Sequence, residues 1–145
     1  MAAPFVSPPE ETAAAAIAAI ADELALFDDW TDRYQYIIEM GRQLPAFPEA
    51  WQDDAHRVPG CQSQVWLEAQ REGGRIYFAG ESDAAIVSGL VGLLLRVYSG
   101  RSAAEISETP PDFLHRLGLV KALSANRGNG VEAMARAIRR VAAAG

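Results

Sequence analysis

The chain has 145 residues, 50% of them hydrophobic and 22% charged, the size and balance of a single domain with its own core, which sets disorder aside. One cysteine excludes an internal disulfide framework, and with only two histidines a thiol-rich zinc or iron-sulfur site within one chain is disfavoured. The net charge of −6 is uneven: residues 1–60 carry three bases and eleven acids, and the rest carry ten bases and eight acids, with no basic stripe that favours nucleic acid.

Met1 to Pro9 lack the positive region and apolar stretch of a secretory signal, so a frayed tail on a cytoplasmic protein is expected, followed by one domain over residues 10–145. From Glu10 to about Phe27, the residues Ile17, Ile20, Leu24 and Phe27 recur at spacings of three and four, one apolar stripe of a helix. A second helix is expected from near Asp29 through Tyr34, Ile37, Ile38 and Gly41, with acids at its start suiting the helix dipole, and it stops before Pro45. Leu44 to Pro48 reads as a stiff connector.

The period then changes to two. Val65, Leu67 and Ala69 alternate with Trp66, Glu68 and Gln70, Glu72-Gly73-Gly74 turns the chain, and Ile76 and Phe78 alternate with Tyr77 up to Ala79; this pattern is a hairpin. A short run at His56 to Val58 is expected to add a third strand, which leaves Val58-Pro59-Gly60-Cys61-Gln62-Ser63 as a connecting loop. Ser82 or Asp83 is placed to cap the next helix, and Ser99-Gly100 to close it. That helix is apolar nearly all round and is expected at the centre of the domain. It is too short and too interrupted to span a bilayer. Beyond it come short helical pieces at Ser102 to Ser107 and Pro110 to Leu117, a turn at Ser124 to Gly130, and a last helix from about Asn129 to Ala143. The element order is that of an α+β fold, a small antiparallel sheet of about three strands with helices packed on one face.

Cys61 is the side chain with the greatest nucleophilic potential. Most cysteines behave as small buried hydrophobes, but this one sits among Pro59, Gly60, Gln62 and Ser63, a turn-like setting on a loop. Gly60 permits unusual backbone angles and close approach to the thiol. His56, five residues earlier, is a candidate partner, although a lone histidine near a strand is more often a hydrogen-bonded surface group. Asp83 has two readings, the helix cap or a carboxylate folded back toward the cysteine loop, and Arg127 also has two, a solvated turn cation or a group that orders a neighbouring loop. The residues alone leave both open. Arg136, Arg139 and Arg140 read as a solvated basic face.

Four stretches together resemble the SufE/CsdE family of cysteine-desulfuration proteins: Trp30 to Pro45, Val58 to Leu67 (V-P-G-C-Q-S-Q-V-W-L), Gly80 to Ser99, and Leu123 to Met134 (L-S-A-N-R-G-N-G-V-E-A-M). The resemblance implies a fold like that of the iron-sulfur scaffold IscU, with Cys61 at a loop tip as the acceptor of a persulfide sulfur. It implies a partner cysteine desulfurase of the SufS/CsdA type that carries pyridoxal phosphate, so that no cofactor is bound here, and delivery to an iron-sulfur scaffold such as the SufBCD complex. It also implies stimulation of the desulfurase. Gly60, Gln62, Asp83, Arg127 and His56 are the expected supporting residues, with no metal site, in a monomer or homodimer. The chain departs from the family pattern at His56, where asparagine is common, at Pro59, which replaces a polar residue, and at Asn126, where serine is frequent.

For such a carrier, the loop is expected to tuck the sulfur against apolar side chains in the free protein. Two other classes fit a lone loop cysteine: a metal or cluster scaffold that shares ligands between subunits, and a thiol enzyme that acts without a partner.

Overall fold

The structure is a computed structural model that describes residues 2–144; Met1 and Gly145, the outer ends of the two expected segments, lie outside the described residues. Among the described residues, seven α-helices and one hairpin follow in the order α1 (Ala13–Leu24), α2 (Trp30–Arg42), β1 (Val65–Glu72), β2 (Arg75–Ser82), α3 (Ala85–Tyr98), α4 (Ala103–Ser107), α5 (Phe113–Arg116), α6 (Leu119–Ala122) and α7 (Ala125–Ala143). Thr12 and Asp29 cap α1 and α2 with their side chains, accepting from Ala15 N and Asp32 N.

α3 is the centre of the molecule. Leu93, Leu94, Leu95 and Val97 have no exposed surface, and α2 crosses so close that a Cβ added at Gly89 would lie 2.2 Å from the Ile37 carbonyl oxygen. Only glycine allows that approach. The inner face of the hairpin, with Val65, Ile76 and Phe78, closes the main core, while Trp66 and Ala79 on the outer face are covered by Phe5 and Phe47 with Trp51 packed beside them. The α-helices therefore take one face of the sheet, and the amino-terminal segment with the short 3-10 turn Glu49–Trp51 takes the other.

The fold is α+β with a two-stranded antiparallel sheet, so the expected third strand is corrected. His56 to Val58 makes a single bridge to β1, with Leu67 N donating to the His56 carbonyl at 2.9 Å and Val58 N donating to the Val65 carbonyl at 2.8 Å. Pairing ends there because Pro59 has no N–H and Gly60 turns the chain away at φ +88°. The other edge of the hairpin is also occupied: Val6 N donates to Phe78 O, and Ile76 N to Arg101 O. Both sheet edges are thus blunted.

The segment expected to fray at the amino terminus packs instead. Phe5 is buried and the Ser99 hydroxyl donates to the Val6 carbonyl; Glu10, the first residue of the expected domain, pairs with Arg96. Two boundaries also move. The expected turn at Ser124 to Gly130 is the start of α7, because Ser124 caps it through Arg127 N and the small residues let the helix lie close, a Cβ at Gly128 falling 3.5 Å from the Val120 carbonyl. The cap expected from Ser82 or Asp83 is absent: Ala84 is the N-cap of α3 and makes no side-chain cap bond, since Ser82 still belongs to β2.

Candidate functional site

Cys61 sits on the five-residue loop 59–63, whose two stems are held separately. The incoming stem is the bridge to β1. On the outgoing stem, Gln64 N donates to the Asp83 carboxylate at 3.1 Å, Asp83 N donates to the Gln64 carbonyl at 3.3 Å, and the Ser82 hydroxyl donates to the same carbonyl at 2.7 Å. Of its two sequence readings, Asp83 thus takes the second, a carboxylate turned toward the cysteine loop. Gly60 supplies the left-handed turn just before the thiol, a conformation that costs other residues strain.

The thiol points inward from this loop. Its Sγ–H donates to the Gly130 carbonyl at 3.5 Å, and the side chain is half-buried beside a cavity of about 320 Å³. Val87, Leu90, Val131 and Met134 form the apolar wall of that cavity, and Gln62, Ser124, Asn126 and Arg127 bring polar groups to it. Burial pushes the Cys61 thiol above its ordinary range, and the positive charges of Arg136 and then Arg57 oppose the rise. A quiet thiol results at neutral pH, with a cavity ready beside the sulfur and cations near enough to favour its anion.

The other expected residues divide. Gln62 and Arg127 are exposed at the cavity, and among the described residues the Arg127 guanidinium has no hydrogen-bond or ion-pair partner. His56 is not paired with the thiol. Its Nδ1 lies 2.7 Å from Asp53 and its Nε2 2.7 Å from Glu68, so neither ring nitrogen is free to act as a base for Cys61. Arg136, Arg57 and the Gly130 carbonyl are contributors that the sequence alone does not assign to the site. A signal exists for Gly130 alone: Arg127, Gly130, Val131 and Met134 share a helical face by their spacing, visible once α7 begins at Ala125.

Among the described residues no group of three or more His, Cys, Asp or Glu side chains could hold a metal ion, and no helix is long and apolar enough to cross a membrane. A larger cavity of about 610 Å³ shares no residue with the cysteine cavity; Arg96, at its wall, is already bonded to Glu10 and Glu23.

A half-buried loop cysteine beside a cavity on this α+β frame is the feature that defines the site. Comparison with known proteins gives the family. Residues 18–142 match the family model described as SufE: Fe-S metabolism associated domain, and the chain belongs to the SufE family. It is 42% identical over 125 residues to an uncharacterised SufE-like protein of Rhizobium meliloti, covering 83% of this chain and 89% of that one. It is 39% identical over 111 residues to the sulfur acceptor protein CsdE of Escherichia coli, covering 75% of this chain and 76% of that one. The solution structure of a hypothetical protein from Thermus thermophilus superposes with a TM-score of 0.73 over 95% of this chain and 96% of the other at 23% identity, which shows a shared fold.

Proposed function

We propose that this protein is a sulfur acceptor and carrier that receives a persulfide sulfur on Cys61 from a pyridoxal-phosphate-dependent cysteine desulfurase of the SufS/CsdA type, stimulates that enzyme by unloading it, and delivers the sulfur to an iron-sulfur scaffold such as the SufBCD complex. The observation that carries the reading is the placement of Cys61: the chain's one thiol, on a loop held at both stems, facing a cavity with room for an added sulfur atom. Membership of the family and similarity to a sulfur acceptor protein support it.

The transfer is an exchange at sulfur. The Cys61 thiolate attacks the terminal sulfur of the desulfurase persulfide; a new S–S bond forms on Cys61, the old S–S bond breaks, and the desulfurase cysteine leaves as its thiolate. No net oxidation occurs. The cofactor chemistry that releases sulfur from cysteine belongs to the partner, and this chain supplies only a thiol and its housing. A second thiol in the same chain would attack the persulfide, form a disulfide and expel sulfide; a single cysteine avoids that loss. The Gly130 carbonyl and the apolar wall keep the resting sulfur in place, and the loop turns it outward to meet the partner.

The proposal is tested by the rate of alanine formation by a cysteine desulfurase supplied with free cysteine. Added wild-type protein is expected to raise the rate and Cys61→Ser is not. Equal stimulation by both proteins would overturn the acceptor role of Cys61.

A further inference from the structure

We infer that His56 is a positioning residue for Cys61: as an imidazolium bridging Asp53 and Glu68 it holds the incoming stem of the cysteine loop against β1, and loss of its proton releases that stem. The inference rests on the reading of Cys61 as the reacting atom.

The ring's hydrogen bonding requires the charge. Both ring nitrogens lie 2.7 Å from carboxylate oxygens. An ionised carboxylate only accepts, and a neutral imidazole has one N–H to give. Two such bonds at once call for two ring N–H groups, the imidazolium. Each acid is also held in place by backbone: the His56 amide donates to Asp53 Oδ1, and the Ala69 amide occupies the other oxygen of Glu68. The charged groups facing the ring are Asp53 from its own segment and Glu68 from β1, while the Trp51 ring stacks on it at 5.8 Å and brings no charge. Arg57, next in the chain, is exposed. Both acids raise the proton affinity of His56, and its burial opposes them only in part.

The position of the bridge gives it leverage on the thiol. Backbone pairing of this stem with β1 amounts to two hydrogen bonds, at His56 O and Val58 N, too few to fix a segment that Pro59 then interrupts. The His56 side chain adds a tie across the same gap, from residue 53 to residue 68, five residues before Cys61. It also holds Arg57, whose charge reaches the thiol. When the ring loses its proton, one nitrogen lone pair faces a carboxylate and the tie becomes repulsive. Opening of the loop is therefore linked to His56 deprotonation in the same direction as thiolate formation, so rising pH acts on the thiol twice.

The test labels the free, full-length protein with iodoacetamide across about pH 6 to 10, measures the Cys61 thiolate fraction by ultraviolet absorbance, and follows the His56 ring by NMR. The labelling rate per thiolate is expected to step up about fivefold through the His56 midpoint, the size a partly exposed ion pair can impose. His56→Gln should sit on the upper plateau at every pH, His56→Arg on the lower one, and Glu68→Gln should move the step and the ring midpoint to lower pH together. A wild-type rate per thiolate that stays flat through the ring titration overturns the inference, as does a step that persists in His56→Gln or fails to follow the midpoint in Glu68→Gln. No desulfurase enters this experiment. A flat profile leaves the acceptor function standing, and failure of sulfur transfer leaves the bridge standing.

Discussion

Asp83 and Gln64 are bonded to each other twice, amide to carboxylate and amide to carbonyl, and this pair ties the outgoing stem of the cysteine loop to the start of α3. Removing the carboxylate with Asp83→Ala frees the Gln64 amide at an exposed position, with a loss of about 1 kcal/mol. The Ser82 bond remains, so the fold persists. Cys61 alkylation at fixed pH is expected to quicken by up to about fivefold, as a 1 kcal/mol shift in a loop equilibrium allows. An unchanged rate would show that this stem does not limit access.

Arg136 is exposed, yet its charge opposes the burial that quiets Cys61. Arg136→Gln is therefore expected to raise the thiol titration midpoint and to slow alkylation at pH 8 by about twofold, the scale of one screened charge. Stability should stay within about 0.5 kcal/mol of wild type, as for other surface changes. Ultraviolet titration of the thiolate and a thermal melt measure the two effects separately.

The α2 and α3 crossing gives a stability prediction. A methyl group at Gly89 would meet backbone atoms of Ile37 at 2.2 and 2.6 Å, and backbone cannot swing aside as a side chain can. Although alanine is the better helix former, Gly89→Ala is expected to destabilise by about 2 to 3 kcal/mol through overpacking. Denaturant unfolding checks it; a neutral or stabilised variant would mean that the helices separate at no cost.

Arg96 binds Glu10 with two of its nitrogens and both oxygens of Glu23, and Tyr36 donates to Glu23 in turn. Its hydrogen bonds hold both carboxyls below their ordinary 4.5. A carboxyl depressed in the folded state stabilises above its unfolded value, and that contribution is lost as pH falls through the folded one. Arg96→Met is expected to cost about 1 to 2 kcal/mol at pH 7, a figure reduced from the fully buried case because the groups are partly exposed. The gap from wild type should narrow as pH falls below about 4.5, where the wild-type carboxyls protonate in turn. Thermal melts of both proteins at pH 7 and pH 3 give the comparison.

Local patterns in the sequence reach a defined distance into this fold. The three-four stripe of Ile17, Ile20 and Leu24, the alternation on either side of Gly73-Gly74, and the all-round apolar run of α3 each bury a face that their own spacing reveals. Cys61 reads as a loop residue because proline and glycine precede it. What stays hidden depends on distant partners. Phe5 and Val6 show no period, and they are ordered by Trp51, Phe78 and Ser99. The first turns of α7 contain two glycines, which locally read as a turn; Ser124 and the packing of Val120 make them helical. His56 is visible in the sequence but its acids are not, because Glu68 reaches it only after β1 folds against the loop stem. The comparisons show the family, while the stems, the cavity and the nearby arginines come from the three-dimensional arrangement.

The central functional claim is that Cys61 carries sulfur. The most direct measurement incubates the protein with a cysteine desulfurase and free cysteine, separates the two, and reads the intact mass and the Cys61 peptide of this chain without reductant. The predicted result is a gain of one sulfur atom on Cys61, removed by a thiol reductant and absent when cysteine is withheld. A wild-type protein that stimulates the desulfurase yet never gains that sulfur would contradict it.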